Sequence, residues 1–287
     1  MEIKIKSTSS IPSLDFGSGP GLVFLHANGY PPECYRPLLE RLAKTYHVRA
    51  MIQRPLWPNS RPEDISDWAP LSDDLIRFLD ENASSSPPTV VLGHSMGGIA
   101  ALRAVLRHPN RFQRLILLDP VLFPPYFILM WKMIVTLKLG NRLHPYISMA
   151  LNRRREFDDL DLLFERYRRR PIFKYMEDDA LRMYIDGITC PKEGGGHQLS
   201  YSPEWEARIY HTGVSRDIEL WRALPTLKIP TLIIRGAETD TFWERTARKV
   251  VRTNPSIQVE TIQKTTHLVP LEKPQEVADI IARFGNP

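Results

Sequence analysis

Gly93-His94-Ser95-Met96-Gly97 follows an apolar run, Thr89-Val90-Val91-Leu92, and precedes a helix-like stretch over residues 98–108. G-x-S-x-G in a strand–turn–helix context constrains a chain severely. The glycines permit a turn so sharp that the serine is held at its tip, hydroxyl exposed, with the next backbone N–H aimed at the same spot. Ser95 is therefore a candidate nucleophile.

A serine hydroxyl is a poor nucleophile until a base takes its proton, so the chain must also supply a histidine and an acid. Residues 230–235 read as a buried strand ended by Gly236, and the loop beyond carries Glu238 and Asp240. A second strand at 257–262 leads to a loop holding His267, and residues 274–284 read as an amphipathic helix with a proline in its first turn. The order Ser95, Asp240, His267 is one of the known triad orders and differs from those of chymotrypsin and subtilisin.

Upstream, strands at 21–25, 48–52 and 112–118 alternate with helices at 35–46 and 71–82, the latter ended by a Ser/Pro run at 84–88. This alternation predicts an α/β fold, a doubly wound, mostly parallel sheet with helices on both faces. The glycine-rich turn at 17–21 precedes a strand, so it reads as a hairpin connection and not as a phosphate cradle. After Pro120 the strand signal nearly vanishes. An apolar stretch at 121–139 includes Phe127, Met130, Trp131 and Ile134, but Pro124, Pro125 and Lys132 interrupt it, which weakens a membrane span.

Five motifs in order carry a family resemblance: Leu25-His26-Ala27-Asn28-Gly29, Gly93-His94-Ser95-Met96-Gly97-Gly98, Leu118-Asp119-Pro120, the segment from Ile234 to Asp240, and the segment from Thr266 to Pro274. The chain resembles the α/β-hydrolase superfamily in its serine-nucleophile, esterase- and lipase-like branch. The resemblance covers 1–120 and about 225–287 as a two-part core, with 121–224 expected as a helical cap. It implies Ser95 as nucleophile, His267 as base and Asp240 as acid. Glu238 is the nearest rival, and Asp119, at the less common position for the acid, is expected to anchor the cap. The Met96 and Asn28 backbone N–H groups are the expected oxyanion donors, with His26 organising their loop. Ala27 stands where relatives carry glycine, and residues 53–58 replace an acidic residue and a glycine-rich turn.

The cap is expected to exclude water and to line an acyl pocket with Phe127, Met130, Trp131 and Ile134. Haloalkane dehalogenases and epoxide hydrolases share the cap and the asparagine, but they use an aspartate nucleophile where this chain has Ser95. The reading is a cofactor-free, metal-free hydrolase of carboxylic esters with apolar acyl groups. Carbon–carbon bond hydrolysis, thioester hydrolysis, a cofactor-free haloperoxidase and a non-catalytic receptor remain as alternatives.

Net charge is +5, much of it in Arg153-Arg154-Arg155 and in Arg166 with Arg168-Arg169-Arg170. No nucleic-acid module accompanies these runs, so they read as solvated helix faces and no nucleic-acid partner is expected. The expected partner is a small-molecule ester, without stable membrane insertion; the sequence does not give an oligomeric state. Cys34 and Cys190 lie far apart and read as unpaired thiols. The N-terminal residues 1–6 alternate as a strand with no apolar block of leader length, so a cytoplasmic location is expected.

Overall fold

The structure, a computed structural model, describes residues 4–5, 10–82, 89–137, 144–214 and 216–285. The expected helix-ending run at 84–88, most of the alternating N-terminal segment and residues 138–139 of the apolar stretch lie outside the described residues. The chain begins with β1 (Lys4–Ile5) and β2 (Ser13–Phe16). It then alternates through β3 (Gly21–Leu25), α1 (Arg36–Leu42), β4 (His47–Met51), α2 (Ala69–Glu81), β5 (Thr89–His94), α3 (Met96–Arg107) and β6 (Phe112–Leu118).

An insertion follows: α4 (Pro125–Thr136), α5 (Pro145–Leu151), β7 (Glu156–Phe157), α6 (Leu160–Arg168), α7 (Asp178–Ile188), β8 (Thr189–Pro191), β9 (His197–Leu199), α8 (Pro203–Thr212) and α9 (Ile218–Ala223). The core resumes with β10 (Thr231–Gly236), α10 (Glu244–Thr253), β11 (Ile257–Ile262), α11 (Val269–Glu272) and α12 (Pro274–Gly285).

The main sheet runs β1-β2-β4-β3-β5-β6-β10-β11. Every pairing from β4 to β11 is parallel, and β2 joins β4 antiparallel. The expected doubly wound sheet is therefore present. The turn at 17–21 is not a hairpin, however, because β4 lies between β2 and β3. Side chains alternate across the sheet with the period of two that a strand imposes. Leu22 and Phe24 of β3 join Val90, Leu92, Ile116 and Ile234 on one face. Val23 and Leu25 join Val91, Leu115, Leu117 and Ile233 on the other. With both faces covered by helices, the central strands β3, β5, β6 and β10 read as largely apolar runs.

The insertion departs from the all-helical expectation. It carries a small antiparallel sheet in the order β7-β9-β8. Strands of two or three residues are too short to show a period. The turn joining β8 to β9 uses Gly194, Gly195 and Gly196, all at positive φ, which explains the triglycine.

Two features place the site. From β3 the chain steps to β4 on one side and later to β5 on the other, opening a crevice at the carboxyl ends of β3 and β5. At the end of β5, Ser95 adopts φ 56° and ψ −119°, a left-handed conformation costly for a side-chain-bearing residue. The turn closes because a β-carbon at Gly93 would lie 2.4 Å from the Gly97 carbonyl oxygen, and one at Gly97 would lie 2.4 Å from that of Leu25. Both neighbours are backbone and cannot swing away. Gly97→Ala should therefore destabilise the fold by about 1–3 kcal/mol, the overpacking range, read as a lowered urea midpoint at unchanged m-value.

Candidate active site

Ser95, His267 and Asp119 form one hydrogen-bonded line. The Ser95 hydroxyl lies 2.9 Å from His267 Nε2, and His267 Nδ1 lies 2.9 Å from Asp119 Oδ1. A carboxylate only accepts, so Nδ1 carries the proton and Nε2 is free to accept from the serine. Asp119 is wholly buried, where a carboxylate needs partners. Besides His267, it accepts from the Gly236 N–H at 2.8 Å and from the Thr239 hydroxyl at 2.6 Å.

The expected acid, Asp240, is not in this line. It is exposed and accepts from Tyr146 Oη at 2.9 Å and from the Thr241 hydroxyl. The bonds at the strand ends explain the correction. β10 stands between β6 and β11, so strand order alone does not choose between the two carboxylates. The β10 loop instead donates to Asp119 through Gly236 and Thr239, which turns Asp240 outward. Glu238 is also exposed, held by Lys174 and Tyr175.

The loop of His267 is braced by Glu272, a buried residue of the motif from Thr266 to Pro274 whose role the sequence alone does not give. Its carboxylate accepts from the Thr266 N–H at 2.7 Å and the Thr266 hydroxyl at 2.8 Å, while burial pushes its pKa up. The signal was a glutamate inside the apolar run Val269-Pro270-Leu271-Glu272.

Around Asn28, side-chain bonds fix the loop after β3. Asn28 Nδ2 donates to the Glu206 carbonyl at 3.1 Å, and Tyr201 Oη donates to Asn28 Oδ1 at 3.0 Å. Both partners belong to the insertion, so it packs directly on this loop. Among the described residues, no hydrogen-bond acceptor takes the Asn28 or Met96 amide. His26 is wholly buried; Nδ1 bonds the Ala27 carbonyl, and Nε2 accepts from the Gln53 N–H at 3.2 Å. The Gln53 side chain donates to the His26 carbonyl at 2.6 Å. The unusual loop from Gln53 thus props the β3 loop, while Trp57 is turned aside between Arg54 and Arg77.

A second chain ties the β3 loop to His267. The Ala27 N–H donates to Tyr35 Oη, Tyr35 Oη donates to His94 Nδ1 at 2.7 Å, and His94 Nε2 donates to the His267 carbonyl at 2.9 Å. Burial, with His267 close by, holds the His94 pKa well below its ordinary value and keeps the ring neutral, as this bonding requires.

The four expected pocket residues separate on α4. Trp131 is buried against His144, Phe127 packs between Phe123 and Trp243, and Ile134 is half-buried. Met130 is 44% exposed on the outer face, so it lines no enclosed pocket. A helix that is apolar all round gives no sign of which side faces inward. The arginine runs are largely engaged within the insertion: Arg153 pairs with Glu206, Arg155 with Glu204, and Arg168 with Asp178 and two carbonyls. His197 lies in β9, and both cysteines are free. Among the described residues, no group of side chains could hold a metal ion, and no helix is long and apolar enough to cross a membrane.

A model of the alpha/beta hydrolase family matches residues 22–280, and the chain belongs to that family. It is 24% identical over 275 residues to 2-(acetamidomethylene)succinate hydrolase of Mesorhizobium japonicum, covering 93% of this chain and 88% of the relative. It is 36% identical over 102 residues to pimeloyl-[acyl-carrier protein] methyl ester esterase of a Shewanella species, but over only 35% of this chain and 34% of that protein. Among solved structures, E-2-(acetamidomethylene)succinate hydrolase superposes with a TM-score of 0.78 at 20% identity, covering 100% of this chain and 99% of that one. A Mycobacterium tuberculosis esterase superposes at 0.75 and 18% identity, covering 100% and 91%. These likenesses establish the fold.

The buried histidines make stability depend on pH. Desolvation lowers the His26 pKa from 6.5 to about 4. Between these values only the unfolded chain takes the proton, so stability present above about pH 6.5 is lost as the pH falls toward 4. His26 alone should contribute a loss on the order of 3 kcal/mol. Urea unfolding across that range should show it, and His26→Gln should flatten the dependence.

Proposed function

We propose that this chain is a serine hydrolase that cleaves carboxylic esters through an acyl-enzyme. The observation that carries the reading is the continuous line Ser95–His267–Asp119 at 2.9 Å and 2.9 Å. Ser95 attacks the ester carbonyl as His267 Nε2 takes its proton. Asp119 holds the ring in the Nδ1–H tautomer and stabilises the imidazolium that forms. The Met96 and Asn28 amides receive the developing oxyanion, which preorganised donors stabilise without reorganising. His267 then protonates the leaving alcohol, and the same base activates water to release the acid.

In this reading the insertion acts as a cap. It presses on Asn28 through Tyr201 and Glu206, and it supplies the inner side of α4 as an acyl wall through Phe127, Trp131 and Ile134. A second reading is hydrolysis of a small polar substrate. It is favoured by the near full-length likeness to 2-(acetamidomethylene)succinate hydrolase and by the part-buried Arg153–Glu206 pair, whose carboxylate lies over Gly29 of the β3 loop. A hydrolase of apolar esters gains about 0.8 kcal/mol of binding per buried methylene, so kcat/KM should rise over the first few acyl carbons. Best activity on acetate with a steady decline would favour the polar reading.

Labelling by a fluorophosphonate together with p-nitrophenyl ester turnover tests the chemistry itself. Ser95→Ala should abolish labelling and lower kcat by at least about three orders of magnitude. Asp119→Asn should lower kcat by roughly three to four orders, because the base loses its tautomer. Asp240→Asn, a change at an exposed site, should leave kcat within about twofold of wild type. The reading fails if Ser95→Ala retains a substantial rate in a folded protein, and the acid assignment fails if Asp240→Asn is the more damaging change.

A further inference from the structure

The insertion carries an apolar surface that the proposed chemistry does not use. On α4, Tyr126, Leu129, Met130 and Met133 are 54%, 57%, 44% and 58% exposed, and Leu137 just beyond is 60% exposed. Their spacing of three, one, three and four residues is that of a single helix face, here turned outward. The opposite side of the same helix buries Ile128 and Trp131. α5 adds exposed Tyr146 and Met149 on one side of buried Ile147 and Ala150, and exposed Leu151 on the other. His144 joins the two helices by packing its ring against both Trp131 and Tyr146. A soluble surface scatters single apolar groups; a contiguous patch of this kind marks a place of contact.

The surroundings of the patch are cationic. The Arg245 guanidinium of α10 lies over the Tyr126 ring at 5.4 Å and over Trp243 at 4.1 Å, which makes α10 continuous with the apolar stripe. Arg245, Arg248, Lys249 and Arg252 recur at helical spacing on one exposed side of α10, and Lys132 is exposed on α4 itself. The exposed carboxylate on these helices is Glu244, paired with Arg248, and Asp240 in the loop before α10 is occupied by Tyr146.

We propose that the outer faces of α4 and α5, with the basic side of α10, dock the protein on an anionic lipid surface. Apolar side chains beside a row of cations are the two signals that peripheral attachment combines: burial below the headgroups and attraction to their charge. The same features argue against a second copy of this chain as the occupant, because a symmetric face-to-face pair would bring two basic rims together. Docking here is peripheral and does not require the ester chemistry.

Co-sedimentation with lipid vesicles, which needs no turnover, tests the proposal on the full chain. The protein should bind vesicles of equimolar phosphatidylcholine and phosphatidylglycerol and stay in solution with phosphatidylcholine alone, and raised salt should release it. Arg248→Glu with Lys249→Glu should weaken binding at least about thirtyfold. Leu129→Glu with Met133→Glu should remove it, whereas Leu162→Glu, a 70% exposed leucine of α6 outside the patch, should not. Circular dichroism confirms that the variants are folded, so lost binding is not lost structure. Equal partitioning to both vesicle types, or no binding to either, overturns the proposal. So does a dimer in sedimentation equilibrium that Leu129→Glu with Met133→Glu dissociates, since the patch would then be covered by a second copy.

Discussion

A carboxylate removed from water must be compensated where it lies, and Asp119 is removed completely. Its partners come from three places: the end of β10 at Gly236, the loop beyond it at Thr239, and the β11 loop at His267. The left-handed backbone of Asp119, φ 40°, accompanies this placement at the end of β6. One buried charge therefore determines the path of the β10 loop and the setting of the imidazole. The neighbouring Gly236 fits because a β-carbon there would lie 2.1 Å from the Thr266 carbonyl oxygen, so the β10 and β11 ends meet backbone to backbone.

Much of this arrangement was legible in the chain. The serine turn could be read because close backbone approach admits only glycine, and the strands of the core because both of their faces are buried. β3 and β6 match their expected spans residue for residue. Asp240 misled because position along the chain was legible while the bonding of its loop was not. Gly236 and Thr239 of that loop close on Asp119, and this decides which of two carboxylates, one after β6 and one after β10, reaches the histidine. Tyr35, Glu272 and Thr239 escaped for a related reason. Each acts through a bond to a partner identified only once the chain is folded, and even for Thr239 and Glu272, which lie within two of the five motifs, position in the motif does not give the partner.

The insertion shows where composition misleads in two directions. Its arginines look like a basic surface in sequence, yet Arg153 and Arg155 close on carboxylates of α8 and Arg168 caps carbonyls beside α6. Its apolar run looks like interior, yet half of α4 faces out. The cations that do present a continuous face belong to α10, which drew no notice in the sequence because its charges are spaced and not clustered.

The bonds from Ala27 through Tyr35 and His94 to the His267 carbonyl join the loop beside the reacting oxygen to the loop bearing the proton acceptor. All of the connecting side chain lies in the buried interior and is shared with the packing of the sheet. Neither loop can loosen alone without orphaning a polar group in that interior. Heating should thus leave the machinery intact until the molecule melts as a whole, so that inactivation and loss of tertiary structure share one midpoint rather than two.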